Sequence, residues 1–388
     1  MTERLYYQDS YLREFRARVV EVADDGHRVY LDRTAFYPTS GGQPFDLGSL
    51  GGVAVREVID EEDRIAHLMQ APLGATEVEG IVDWDRRYDH MQQHTGQHLL
   101  SAVLEELFKI RTVSFHLGAE TSTIDVDAAS LTPEQLERSE ERCAQVVAQA
   151  RPVEITFEDA STTLELRKAS ERSGTLRIIT IEGIDRSACG GSHVRSTAEI
   201  GMVLTGKTEK IRGTTRIEFV CGKRALRRAR ADNRLVASIG RALSVPPEQS
   251  PELLAGLIEK NKSLEKTTQR LATELARREG KDLFLAAEPG PDGIRRVIQR
   301  GPIDDAMRAR AQAFVSPSGA GEKAVFLAVC DQPPSLLLAA SADSGVHAGD
   351  RVKAAVAAFG GRGGGNAQLA QGSVPDAAVL ADAEALLR

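Results

Sequence analysis

The sequence predicts an α+β multidomain protein: a small β-rich N-terminal domain, a mixed α+β domain, a helical arm and a C-terminal α/β domain. Three observations predict it. Strand-like runs separated by turn signals fill roughly the first 80 residues. The period turns helical from Asp89 to about Leu107, and leucines recur every seven residues at 257, 264 and 271. These changes place the domains at 1–85, 86–220, 221–285 and 286–388. A chain of 388 residues has room for several such cores.

The first domain opens with β-like "FRARVVEV" and "HRVYLDR", separated by the turn signal "ADDG". "YPTSGGQPFDLGSLGG" is a loop rich in Gly and Pro, and "VAVREVI" is a further strand. In the second domain, Leu99, Leu100, Val103 and Leu104 mark the apolar stripe of a helix, and "TSTIDVDA" is a strand. "LTPEQLERSEERCAQVVAQA" is a helix with a clear start: Thr132 caps it, Pro133 suits its first position, and Gln135 sits three after the cap. "RPVEITFED" and "TLRIITIEG" add strands.

Residues 253–279 read as one helix. Leu257, Leu264 and Leu271 have Asn261, Thr268 and Leu275 as companions. With about three heptads and two polar companions, an arm packed on its own protein is expected rather than a parallel coiled coil. The tail sets β-like "KAVFLAVC" and "PSLLLAAS" beside helix-like "DRVKAAVAAF", and ends in "GGRGGGNAQLAQG" and a short helical stretch. That run lacks Gly-Lys-Ser/Thr and is not a P-loop.

Composition excludes several classes. No apolar run reaches membrane-spanning length, so no membrane is expected as a partner. The four cysteines form no close pair, which fits a reducing cytoplasm. A formal net charge of −7 argues against generic polyanion binding, so nucleic-acid contact has to be local. One local strip exists: "CGKRALRRARADNR" carries six basic residues against one acidic. Alone it reads as a solvated helix face.

The chemistry concentrates in "HTGQH" and "CGGSH". His94 and His98 lie four apart on one helix face. The pair alone fits surface or satisfied core histidines as well. Cys189 and His193 add a thiolate and an imidazole, with two glycines between them for a tight turn. The four residues have the count and chemistry for one zinc ion. Their separation of about ninety residues is not a zinc finger's. There is no His-Glu-x-x-His, and no His-x-Glu to partner a deaminase zinc. His90 continues the four-residue series but is not assigned as a ligand.

Several motifs now carry a resemblance: "RTAFYPTSGGQPFDLG" at 33–48, "QQHTGQHLLSAV" at 92–103, "TVSFHLGAETSTID" at 112–125, "CGGSHV" at 189–194, "RIEFVCGKRAL" at 216–226 and "GGRGGGNAQLAQG" at 360–372. In these the chain resembles a free-standing alanyl-tRNA editing protein of the long form. That family is related to the editing and DHHA1 domains of alanyl-tRNA synthetase. Two departures are small: Ser192 stands where the family more often has threonine, and "RGTTRIE" lacks an arginine pair common in the synthetase. The resemblance implies a zinc-containing editing domain at 86–220, a DHHA1-like domain at 286–388, and no aminoacylation core.

It also implies a reaction: hydrolysis of wrongly charged tRNA for alanine, chiefly the seryl and also the glycyl ester, with zinc as organiser of the site. Thr39 matches the family position implicated in reading the serine hydroxyl; its alternative is capping of its own loop. Gln43 is placed to hydrogen-bond across the pocket, although Gly-Gly-Gln is also similar to the tripeptide of peptide-release factors. Gln97 and His116 are the remaining pocket candidates. With these motifs the basic strip becomes a phosphate contact. The competing readings are a non-catalytic, zinc-stabilised tRNA-binding module and a threonyl-tRNA editing enzyme. A second copy of the chain is the other candidate partner.

Overall fold

A computed structural model describes residues 1–163, 165–168, 173–316 and 321–388. It divides the chain into two compact units, Met1–Ser238 and Ile239–Arg388, a coarser division than four segments.

The first unit starts with a closed six-stranded barrel. Its strands are β1 (Glu14–Ala23), β2 (Arg28–Leu31), β3 (Gly48–Leu50), β4 (Val53–Glu61), β5 (Arg64–Met69) and β6 (Glu77–Val82), in the order β1-β2-β5-β4-β3-β6. Closure leaves no free sheet edge. Alternate residues turn inward, and Phe15, Val29, Leu31, Leu50, Ile65 and Met69 fill the interior. The loop 32–47 leaves the barrel between β2 and β3.

Helix α1 (Trp84–Phe108) follows β6 directly. The Asp83 carboxylate caps it by accepting the Arg86 N–H, and Lys109 ends it in the left-handed conformation at φ 59°. Every residue from His90 to Leu104 is buried, including Gln92, Gln93, His94, Thr95, Gln97 and His98. Such a polar stretch tolerates burial only where partners satisfy it. Gln93 exchanges two hydrogen bonds with the Cys221 backbone, and Gln92 donates to the Glu199 carbonyl at 2.8 Å.

Around α1 lie β7 (Thr112–Leu117), β8 (Ser122–Val126), helix α2 (Pro133–Ala148), β9 (Val153–Asp159), β10 (Thr175–Ile181), β11 (Asp185–Ala188), β12 (Val203–Ile211) and β13 (Thr214–Cys221). They form an antiparallel sheet β12-β13-β8-β7 and a second sheet β9-β10-β11. Leu99, Leu100, Val103 and Leu104 pack with Ile124, Val146, Ile179, Ile217 and Phe219 into one core. Thr132 and Gln135 form the expected capping box. Helix α3 (Gly222–Leu243) carries the basic strip. Within the strip, Lys223 pairs with Asp85, Arg224 with Asp89 and Arg228 with Asp232.

In the second unit, helix α4 (Ser250–Ala286) precedes β14 (Ile294–Arg300), helix α5 (Asp305–Val315), β15 (Lys323–Asp331), β16 (Pro334–Ala340), helix α6 (Ala348–Ala357), β17 (Arg362–Gly365), β18 (Leu369–Ser373) and helix α7 (Leu380–Ala385). The sheet order is β14-β15-β16-β18-β17, so the glycine run forms an edge strand. The arm packs on its own unit as expected, through Ala276, Gly280 and Phe284 rather than through its leucines. Leu254, Leu257, Leu264, Leu271 and Leu275 of α4 are exposed, so its heptad face does not pack on its own protein. No helix among the described residues is long and apolar enough to cross a membrane.

Candidate metal centre

The site is built where three chain segments meet on α1. The first is loop 32–47. Arg87, fully buried in the first turns of α1, grips the Asp46 carboxylate and donates to the carbonyls of Ser10 (2.8 Å) and Ala35 (2.6 Å). Asp46 in turn accepts the Tyr37 N–H at 2.7 Å. The loop is thereby fixed at both ends against the helix. Gly42 has φ +84°, and a Cβ there would lie 2.5 Å from the Phe115 carbonyl oxygen, so β7 closes over a glycine.

The second segment is "CGGSH". Arg177, on β10, donates through Nη1 to the carbonyls of Cys189 (2.7 Å) and Gly191 (2.9 Å), and through Nε to Tyr7 at 2.9 Å. One guanidinium fork thus shapes the turn. A Cβ on Gly191 would lie 2.1 Å from His94 Cε1, so that position excludes every side chain.

The third segment is α1 itself. The ligand atoms of His94, His98, Cys189 and His193 all lie within 4.8 Å of one another. Cys189 Sγ is 3.4 Å from both His94 Nε2 and His193 Nε2. A sulfur and a nitrogen bound to one tetrahedral zinc stand about 3.5 Å apart.

Each imidazole is oriented through its other nitrogen. His94 Nδ1 donates to Gln43 Oε1 at 2.8 Å, His98 Nδ1 to Asp185 Oδ2 at 2.7 Å, and His193 Nδ1 to Thr95 Oγ1 at 3.1 Å. All three Nε2 atoms are left to face the thiol, the arrangement a metal-binding histidine needs. Three imidazoles, one thiolate and three Nδ1 partners fit zinc.

The electrostatics favour the thiolate, and a bound metal would displace a proton from His98. Burial alone would raise the Cys189 thiol, but the imidazoles of His94 and His193 outweigh it and hold the thiol well below its ordinary value. Burial also opposes charge on His98 and Asp185; their hydrogen bond prevails, raising His98 to about 9 and lowering Asp185 to about 2. Burial lowers His193 to about 3, so it is neutral and ready to ligate at pH 7.

The remaining candidates fall in different places. Gln43 is buried in the site, where its amide also donates to Ser192 Oγ at 2.8 Å. Its bonds join His94 to the turn at Ser192. Thr39 is exposed on the loop, and its hydroxyl oxygen accepts the Phe45 N–H at 3.2 Å. This is the loop-capping role, and it leaves the Thr39 O–H free to donate. Gln97 is buried and donates to Ser101 Oγ at 2.8 Å within α1. His116 is exposed on β7, one residue from Phe115, whose ring lies 5.0 Å from His94. Strand alternation therefore puts His116 on the face away from that contact. His90 is buried, with Nδ1 unpartnered among the described residues.

Asp185, Thr95 and Arg177 were not anticipated. Arg177 had a signal: it is the one charge within the apolar run "TLRIITI". Asp185, four residues before Cys189, had a weaker one. Asp185→Asn keeps the shape but removes the charge that His98 and Arg167 (2.5 Å) both meet. The variant is expected to bind zinc about 10–100-fold more weakly, as competition with a chromogenic chelator would read. Unchanged affinity would remove Asp185 from the site.

The donor set is one that could hold a metal ion, and comparison with known proteins narrows the class. The family model "Threonyl and Alanyl tRNA synthetase second additional domain" matches residues 176–218, the segment holding Arg177, Asp185, Cys189 and His193. Alanyl-tRNA editing protein AlaX-L of Pyrococcus horikoshii is 32% identical, covering 96% of this chain and 95% of its own length. Alanyl-tRNA editing protein Aarsd1 of Mus musculus is 29% identical over 99% of this chain and 97% of its own. The alanine–tRNA ligase of Pyrococcus abyssi is 30% identical over 97% of this chain, which spans 42% of that protein. The chain belongs to the alanyl-tRNA editing protein family.

Proposed function

We propose that the protein is an aminoacyl-tRNA deacylase acting in trans in the cytoplasm. Its substrate is tRNA for alanine carrying the wrong amino acid, chiefly serine and also glycine. The observation that carries this reading is the join at Gln43. One amide binds the loop that displays Thr39 to both His94 and the Cys189–His193 turn.

Zinc held by His94, His98, Cys189 and His193 would supply positive charge for an ester carbonyl or a water. The chain's own residues do the rest. Gln43, Thr95 and Asp185 fix the imidazoles. Arg87 and Asp46 fix the loop. Thr39 offers its O–H to the side-chain oxygen of serine, the single group that separates serine from alanine. A site with a donor for that oxygen loses a hydrogen bond with alanine. Residues 86–220 then form the editing domain, while the basic strip on α3 and a DHHA1-like 286–388 contact the tRNA.

The test is deacylation of a panel: seryl, glycyl and alanyl esters on tRNA for alanine, and the seryl ester on tRNA for threonine. Loss of the seryl and glycyl esters from tRNA for alanine, with the alanyl ester spared, is expected. Tight tRNA binding with every ester intact would instead establish a binding module. Preference for tRNA for threonine would establish the other editing specificity.

A further inference from the structure

The four residues of the cluster are not equally enclosed. His94, His98 and His193 are buried, and Cys189 alone is half-buried. The turn divides at the same point: Ala188 and Gly190 are half-buried, while Gly191 and Ser192 are buried. The cluster is therefore reached from the Cys189–Gly190 side.

The two glycines of the turn differ in kind. Gly191 leaves no room for a side chain against His94. Gly190 has no left-handed backbone, and the three atoms nearest an added Cβ all belong to Tyr7. The closest is the Tyr7 hydroxyl oxygen at 3.5 Å, an ordinary contact. The fold does not require glycine at 190; the glycine leaves an open seat beside Cys189.

Tyr7 is the wall of that seat. Arg177 Nε donates to the Tyr7 carbonyl, and the same guanidinium holds the Cys189 and Gly191 carbonyls, so one side chain ties wall and turn together. Tyr6 packs edge-on against Tyr7 at 4.9 Å and against Tyr37 at 5.3 Å. The Tyr37 O–H donates to the Ser40 carbonyl at 3.1 Å. A row of three tyrosines thus runs from the Thr39 loop to Gly190. Tyr7 itself is half-buried, and its oxygen accepts one long bond from Arg4 Nη1 at 3.4 Å. Its O–H meets no acceptor among the described residues.

We propose, resting on the editing reaction for the identity of the ligand, that Tyr7 and Gly190 seat the terminal nucleoside of the tRNA. The Tyr7 O–H donates to a ribose oxygen, and the sugar lies over the Gly190 backbone. The reacting carbonyl has to sit at the cluster, so the alcohol half of the ester leaves by whichever flank is open. The Thr39 loop takes the amino-acid side chain, and the Cys189–Gly190 flank remains for the sugar. A ribose offers the acceptors that a free phenol O–H needs, and a glycine lets it approach the main chain closely.

The probes are the seryl and glycyl amides of 3′-amino-3′-deoxyadenosine, in which nitrogen replaces the ester oxygen. Their binding to the zinc-loaded protein is followed by calorimetry. Gly190→Ala should weaken both at least about fivefold, as a methyl intruding on a close contact does. Tyr7→Phe should weaken both about 3–10-fold, the loss of one neutral hydrogen bond. The factor should be the same for the two amides, because they share the nucleoside, and zinc content per chain should not change. Wild-type protein that binds neither amide, or unchanged affinity in Gly190→Ala, would overturn the seat. A loss confined to the seryl amide would place the contact on the amino-acid side chain instead. A fall in zinc content would make both residues supports of the turn. Deacylation by the same wild-type protein separates the two claims. Binding with this dependence but no ester cleavage would sink the editing reaction and leave the seat standing. Cleavage by the wild type with Gly190→Ala binding normally would sink the seat alone.

Discussion

Cys189→Ala is expected to strip the centre of both metal and turnover. Without the thiolate only three imidazoles remain, and the buried His98–Asp185 and His94–Gln43 pairs no longer converge on an anion. Bound zinc should fall from about one per chain to a small fraction. Deacylation should fall by several kcal/mol of barrier, upward of about a hundredfold. Far-UV circular dichroism should keep its shape, because the core of Leu99, Val103, Ile124 and Phe219 is untouched. Cys330→Ala supplies the control: that thiol is buried in the second unit and should be silent in both measurements. Near-normal zinc content in Cys189→Ala would mean that the ligand set is wrong.

The second large effect is on selectivity. Thr39→Val keeps the shape and removes the O–H. Because the residue is exposed, water replaces the bond it accepts from Phe45, and the loop stays clamped by Arg87 and Asp46. Hydrolysis of seryl-tRNA should fall about 3–10-fold, as expected for one neutral hydrogen bond of about 1 kcal/mol. Glycyl-tRNA, with no hydroxyl to meet, should change much less. Thr39→Ser should restore the difference. Equal losses on both esters would assign Thr39 to loop support alone.

The proposed ligands are legible in the sequence because their spacing is local. His94 and His98 share a helix face, and Cys189 and His193 share a turn, so each pair shows itself within five residues. What unites the pairs was not local. Gln43, Thr95 and Asp185 bond to ligands across 51, 98 and 87 positions, and only the folded chain creates those contacts. Gln43 shows its hydrogen-bonding chemistry in the sequence, and only the fold brings it to His94 and Ser192. His116 shows the converse: a histidine near the motifs is turned outward by a single step of strand alternation. Barrel closure is likewise a property of six strands together, whereas each strand alone reads only as alternation. For α4, heptad spacing identified the helix, but whether its leucines are covered depends on α5 using the opposite face.

The most direct measurement of zinc-dependent editing starts from protein freed of metal by a chelator. Zinc is titrated back while seryl ester loss from tRNA for alanine is followed. Almost no turnover is expected at the start, then a linear rise and a plateau at about one zinc per chain, with alanyl-tRNA stable throughout. Full turnover in the metal-free protein, or a plateau reached without occupation of the His94–His98–Cys189–His193 cluster, would contradict it.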